Sequence, residues 1–153
     1  MRSVKTTFIT IFLILSFVFC ANAEEILSIK KQDGQIVSFN IEIANTPGQR
    51  RQGLMYKKQM PEDYGMLFIF KKPKVIEMWM KNTYIPLDML FIGEDNEIKT
   101  IAKNTTPESL NTISSGTDAI AVLEINAMIT DKLGIAVGDI IIEPNLGKDG
   151  QDK

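Results

Sequence analysis

The chain has 153 residues, 44% of them hydrophobic and 24% charged, which suits one globular domain and excludes a disordered chain or a polytopic membrane protein. With 17 Lys and Arg against 19 Asp and Glu, it carries no basic footprint for nucleic acid. Histidine is absent, which removes the commonest catalytic base and metal ligand.

The first 23 residues differ from the rest. Arg2 and Lys5 form a short positive start. Phe8 to Phe19 is an apolar run too short for a comfortable membrane span, and Ala21-Asn22-Ala23 has the small-x-small pattern of a cleavage site. A signal peptide cleaved between Ala23 and Glu24 is expected, with a periplasmic or secreted destination and no stable membrane insertion afterwards. Cys20 invites a lipid anchor, but Phe19 is bulky where a lipobox needs a small residue. Cleavage takes the basic count to 15 against 19 acids and removes the sole Cys. The mature chain must then fold in an oxidising compartment on its core alone.

From Glu24 to Leu146 the pattern is that of one mainly β domain, followed by a polar tail at residues 147–153. Ile26 to Lys31 and Gln35 to Ile43 flank Asp33-Gly34, a hairpin signal because both residues tolerate positive φ. In the second run Val37, Phe39, Ile41 and Ile43 alternate with polar residues, so one face is buried. Thr46 is a natural N-cap with Pro47 at the first helical position and Gly53 as the stop. Further β-rich runs are Met66 to Phe70, Val75 to Met80, Leu87 to Ile92, Glu97 to Ala102, Ala119 to Ile125 and Asp139 to Glu143, with Glu94-Asp95-Asn96 as another hairpin turn. Residues 104–118 are polar and read as a long loop. Asn126 reads as the cap of a second short helix ending at Leu133, with Gly134 after it. The sum is a compact β-sandwich or barrel of about eight short strands with two short helices.

A few residues do not fit a plain β protein. In Val75 to Met80, Ile76, Met78 and Met80 share one face, which places Trp79 on the other between Glu77 and Lys81, where it could floor a groove. Asn82 and Thr83 can fix a loop by bonding to nearby backbone. Asp88 and Glu124 lie in otherwise apolar runs, where an unpartnered carboxylate is costly. Lys81, Asn82, Thr83 or Arg50 could partner Asp88. The two carboxylates could equally act as acid and base, or as oxygen ligands. Met78 and Met80 could offer thioethers to Cu(I), although methionine in strands is usually core filler. No Ser-His-Asp triad, Cys nucleophile, zinc pattern, phosphate loop or dinucleotide fingerprint is present, so no cofactor is expected.

Taken together, Arg50, Gly53-Leu54-Met55, Gly65-Met66-Leu67-Phe68, Trp79-Met80-Lys81-Asn82-Thr83, Ile85-Pro86-Leu87-Asp88, Leu123-Glu124, Gly134-Ile135 and Gly138-Asp139 resemble, in order and spacing, the domain-of-unknown-function 192 family. The resemblance spans Ile26 to Glu143. It implies a small, mainly β domain that is often exported, and it brings no established reaction with it. Met78 stands where the family usually has an aromatic residue, Lys57 where it has Arg, and Met128 where Gly is common.

The resulting expectation is an exported β protein that binds a small, possibly anionic, ligand or a protein partner. Its site would comprise Arg50, Trp79, Lys81, Asn82, Thr83, Asp88 and Glu124. Lys81 and Arg50 would hold an anionic group, Trp79 would supply contact area, and Asp88 and Glu124 would steady the cations. The alternative from another class is a hydrolytic enzyme with Asp88 or Glu124 as general base. Cu(I) binding through methionines is a third reading.

Overall fold

The computed structural model describes residues 25–144. The expected cleavage site, Cys20 and the polar tail lie outside them. Seven strands form one sheet: β1 (Glu25–Lys30), β2 (Ile36–Ala44), β3 (Tyr64–Met78), β4 (Leu87–Ile92), β5 (Ile98–Ala102), β6 (Ile113–Asn126) and β7 (Ile140–Glu143). Two short helices join them, α1 (Pro47–Gln52) and α2 (Ile129–Leu133). The spatial order is β5-β4-β6-β3-β2-β1-β7. Only β2 and β3 run parallel; the other neighbours are antiparallel.

The sheet curls until its outer strands meet. Glu97 bridges Ile140, and the backbone of residues 96–98 exchanges hydrogen bonds with residues 138–141 at 2.8–2.9 Å. A curled sheet has an inner face and an outer face, and here both are buried at the centre. Leu67, Leu90, Leu123 and Ile125 fill the inner core. Their chain neighbours Met66, Phe68, Met89, Phe91 and Val122 form a second cluster on the other face. All of β4 is therefore buried, as expected of a strand covered on both sides.

The expected hairpins form. Gly34, at φ 85°, makes the β1–β2 turn with its N–H donating to the Lys31 carbonyl. Asn96, at φ 62°, closes the β4–β5 turn. Thr46 caps α1 in a reciprocal box with Gln49, and Gly53 ends it.

Three expectations needed correction. Met66 to Phe70 and Val75 to Met78 belong to one strand, β3, which ends before Trp79 and Met80 and whose pairing with β6 slips between Ile69 and Lys74; a bulge there reads in sequence as a break. The expected loop at 104–118 becomes strand from Ile113, because Ser114 pairs with Glu77 and the buried Ser115 hydroxyl accepts from the Ile76 N–H at 2.9 Å. Asn126 does not cap α2. Its side-chain amide donates to the Met60 and Pro61 carbonyls, and the cap position is Met128, in the left-handed region at φ 72°.

That φ gives a physical reason for a glycine at position 128. Met128 is exposed and has little packing to lose. Met128→Gly should raise stability by about 1 kcal/mol, read as a higher Tm in thermal unfolding.

Candidate functional site

A pocket of about 200 Å³ opens on the outer face of the sheet, where the end of α1 and residues 77–83 roof the second apolar cluster. Leu54, Phe68, Thr83 and Glu124 are its buried floor, while Arg51, Glu77, Trp79 and Lys81 are exposed at its mouth. Phe70, Met55 and Met78 supply half-buried apolar wall.

Side-chain alternation puts Glu124 here. Val122 and Glu124 share a face of β6, opposite to Leu123 and Ile125, and Glu124 lies between Met66 of β3 and Met89 of β4. Glu124 as a residue is 4% exposed. Among the described residues it has no hydrogen-bond or ion-pair partner. Burial among apolar neighbours pushes its pKa from 4.5 to about 8, so it is protonated at neutral pH. Burial is the sole cause of that shift; the cations at the mouth do not offset it.

Two cations of the lining, Arg50 and Lys81, are held by other contacts. Arg50 Nη1 donates to the Asn45 carbonyl at 2.6 Å and the Ile69 carbonyl at 2.8 Å, and the guanidinium lies 5.0 Å from the Phe70 ring. It thereby ties α1 to β3. Lys81 Nζ sits 5.0 Å from the Trp79 ring. Among the described residues, neither Arg50, Arg51 nor Lys81 is ion-paired to a carboxylate, whereas Lys57, Lys99, Lys103 and Lys132 all are.

The turn carrying Lys81 is rigidly built. Asn82 adopts φ 55°, its carbonyl accepts from the Tyr56 N–H at 2.8 Å, and its amide donates to the Tyr56 hydroxyl at 3.0 Å. The Thr83 hydroxyl donates to the Lys81 carbonyl, and the Glu108 N–H donates to the Thr83 carbonyl.

Five of the seven expected site residues line the pocket: Arg50, Trp79, Lys81, Thr83 and Glu124. Asn82 shapes the turn from outside it. Asp88 lies elsewhere. It pairs in register with Ile125 while Glu124 pairs with Met89, so the two carboxylates project from opposite faces of the sheet. Asp88 is fully buried and accepts from the Asn104 N–H at 2.8 Å, the Thr130 N–H at 3.1 Å and the Thr130 hydroxyl at 2.6 Å.

The expected partners of Asp88, namely Lys81, Arg50 and the Asn82 and Thr83 groups, are therefore replaced by α2 and the loop after β5. Neither carboxylate steadies a cation, and the two cannot act on one substrate as an acid–base pair. Arg51 and Phe70 were not singled out from sequence; Glu77 was placed beside Trp79 and Phe68 in the family series, neither as a site residue. Phe68 was signalled by sharing alternation with Met66; Arg51 gave no signal, because α1 buries no residue. Of the two methionines considered for Cu(I), Met80 is fully buried with its sulfur accepting from the Thr105 hydroxyl at 3.2 Å, and Met78 is pocket wall.

The fold and site together define a small curled-sheet protein with a partly apolar pocket, net cationic at its mouth and acidic at its floor. The chain belongs to the DUF192 family, described as an uncharacterised ACR, which matches residues 28–142. It is similar to a crystal structure of a Sinorhizobium meliloti 1021 protein described as a candidate transcription regulator, at 44% identity and a TM-score of 0.76, covering 78% of this chain and 93% of that one. It is also similar to a crystal structure of a protein of unknown function from Novosphingobium aromaticivorans DSM 12444, at 33% identity and a TM-score of 0.73, covering 76% and 82%. No curated protein matches the chain. Among the described residues, no helix is long and apolar enough to cross a membrane.

Proposed function

We propose that this is an exported protein that binds a small organic anion in the pocket between α1 and the Trp79–Thr83 turn. The observation that supports it is the gathering of Arg50, Arg51 and Lys81, none ion-paired to a described carboxylate, around an apolar-walled cavity. Positive charge at the mouth attracts an anionic group, and the arginine fork can hold it by two bonds. The volume of about 200 Å³ is below the roughly 300–1,000 Å³ of pockets that take drug-sized ligands, so the ligand is small. Export rests on the N-terminal sequence alone.

Native mass spectrometry of the protein taken gently from its own exported fraction tests this. A mass adduct absent from the denatured spectrum is expected, and Lys81→Met should lose it with the fold intact. An adduct retained in full by that variant would remove Lys81 from the site.

The raised pKa of Glu124 favours a second reading, a hydrolytic enzyme with Glu124 as a general base that works above about pH 8, where it is ionised. It requires a turnover that Glu124→Gln abolishes without unfolding the protein. Asp88 plays no part in it.

A further inference from the structure

Resting on the anion-binding reading above, we infer that the pocket's ligand is a small zwitterion, its acid group held at the mouth by Arg51 and Lys81 and its ammonium group at the Glu124 carboxylate. The polarity of the pocket is ordered by depth. At the mouth the exposed Arg51 and Lys81 outnumber Glu77, and a buried carboxyl group without a described protein partner forms the floor.

A ligand with an acid group alone would satisfy the mouth and leave the Glu124 carboxyl group facing the pocket without a charged partner. A ligand with an ammonium group alone would meet Arg51 and Lys81 at the mouth, two cations against the single carboxylate of Glu77, and would be disfavoured there. A zwitterion answers both ends. The charged groups around the pocket are Arg50 and Arg51 from α1, Glu77 from β3 and Lys81 from the turn after it. Across the sheet, β3 and β4 face Glu124 with Met66 and Met89. Nothing within the floor itself competes for the ammonium group.

The proton balance follows. At neutral pH the empty site holds Glu124 protonated. Binding of an ammonium group breaks the Glu124 O–H bond, leaves a carboxylate beside the cation and releases one proton to buffer. Affinity should therefore rise with pH up to about 8, by up to about tenfold per pH unit, and fall again once the amine itself loses its proton.

Trp79 is the sole tryptophan and lines the mouth, so its fluorescence reports on occupancy. The experiment titrates the protein with ω-amino acids from glycine to 5-aminopentanoate, with the matching acids lacking the amine, and with butylamine. The best amino acid should bind at least about tenfold more tightly than its matching acid, release a proton in calorimetry at pH 7, and lose that advantage in Glu124→Gln. An acid that binds as tightly as its amino acid, or more tightly as pH falls towards 6, would overturn the zwitterion while leaving the anion site standing. A series in which no compound perturbs Trp79 would overturn both.

Discussion

Glu124→Gln should stabilise the protein by about 3 kcal/mol at pH 7 and leave its stability at pH 4 nearly unchanged. The carboxyl group is protonated in the folded state up to a pKa of about 8, against 4.5 ordinarily. Below pH 4.5 both the folded and the unfolded chain hold the proton, and the group has no net effect. Between pH 4.5 and 8 the unfolded chain gives up its proton and gains hydration, while the folded chain cannot. Stability is therefore lost as pH rises, and above about 8 the loss is complete.

At about 1.4 kcal/mol per pH unit, the interval from 4.5 to 7 amounts to about 3 kcal/mol. The amide of Gln has nearly the same shape and no charge, so it removes the loss. Denaturant unfolding of both proteins from pH 4 to 8 reads the effect as two curves that diverge as pH rises. Parallel curves would mean that Glu124 is ionised in the fold and has a partner. A side chain that weakens the protein at its working pH is the kind of group a binding site retains.

The second large effect is expected at the other buried carboxylate, with the opposite sign. Asp88→Ala should destabilise the protein by about 3–5 kcal/mol. The carboxylate gathers two backbone N–H groups and the Thr130 hydroxyl, and its removal leaves those donors buried without an acceptor. It pins the start of α2 and the residue after Lys103 to the inner face of the sheet. Asp88→Asn should cost less, because the amide keeps one oxygen but turns its own N–H groups towards donors. Under conditions where the variants remain folded, Trp79 titrations should be unchanged, since Asp88 and the pocket are on opposite faces. A loss of ligand binding without a loss of stability would return Asp88 to the site.

These two acids show how far a sequence can be read. Their oddity was visible: each is a charge in an apolar run, where burial demands an explanation. Their opposite roles were not visible, because the face each occupies depends on the β4–β6 register, which pairs Met89 with Glu124 and Ile125 with Asp88. The hairpin turns at Gly34 and Asn96, the α1 cap and most strand centres were legible from local chemistry. The continuity of β3 through Lys71–Lys74 was hidden by its bulge. The strand character of Ile113 to Asp118 was hidden by its polar composition, which its pairing with the far end of β3 overrides. Position 128 was legible only as a departure, and the left-handed φ of Met128 explains it.

The way the sheet closes also dictates how the chain can be assembled in time. The first strand pairs on one side with β2 and on the other with β7, and the Gln32 N–H that donates to Asp139 must wait for a residue 107 positions later. During synthesis at about 5–20 residues per second, an N-terminal strand precedes its final neighbour by on the order of 10 s. Throughout that interval one edge of β1 is bare and the inner core lacks Ile135 and Ile141. The nascent chain therefore stays open until its last strand is made. Such a polypeptide can be handed to a chaperone, or threaded through a narrow channel, before it locks.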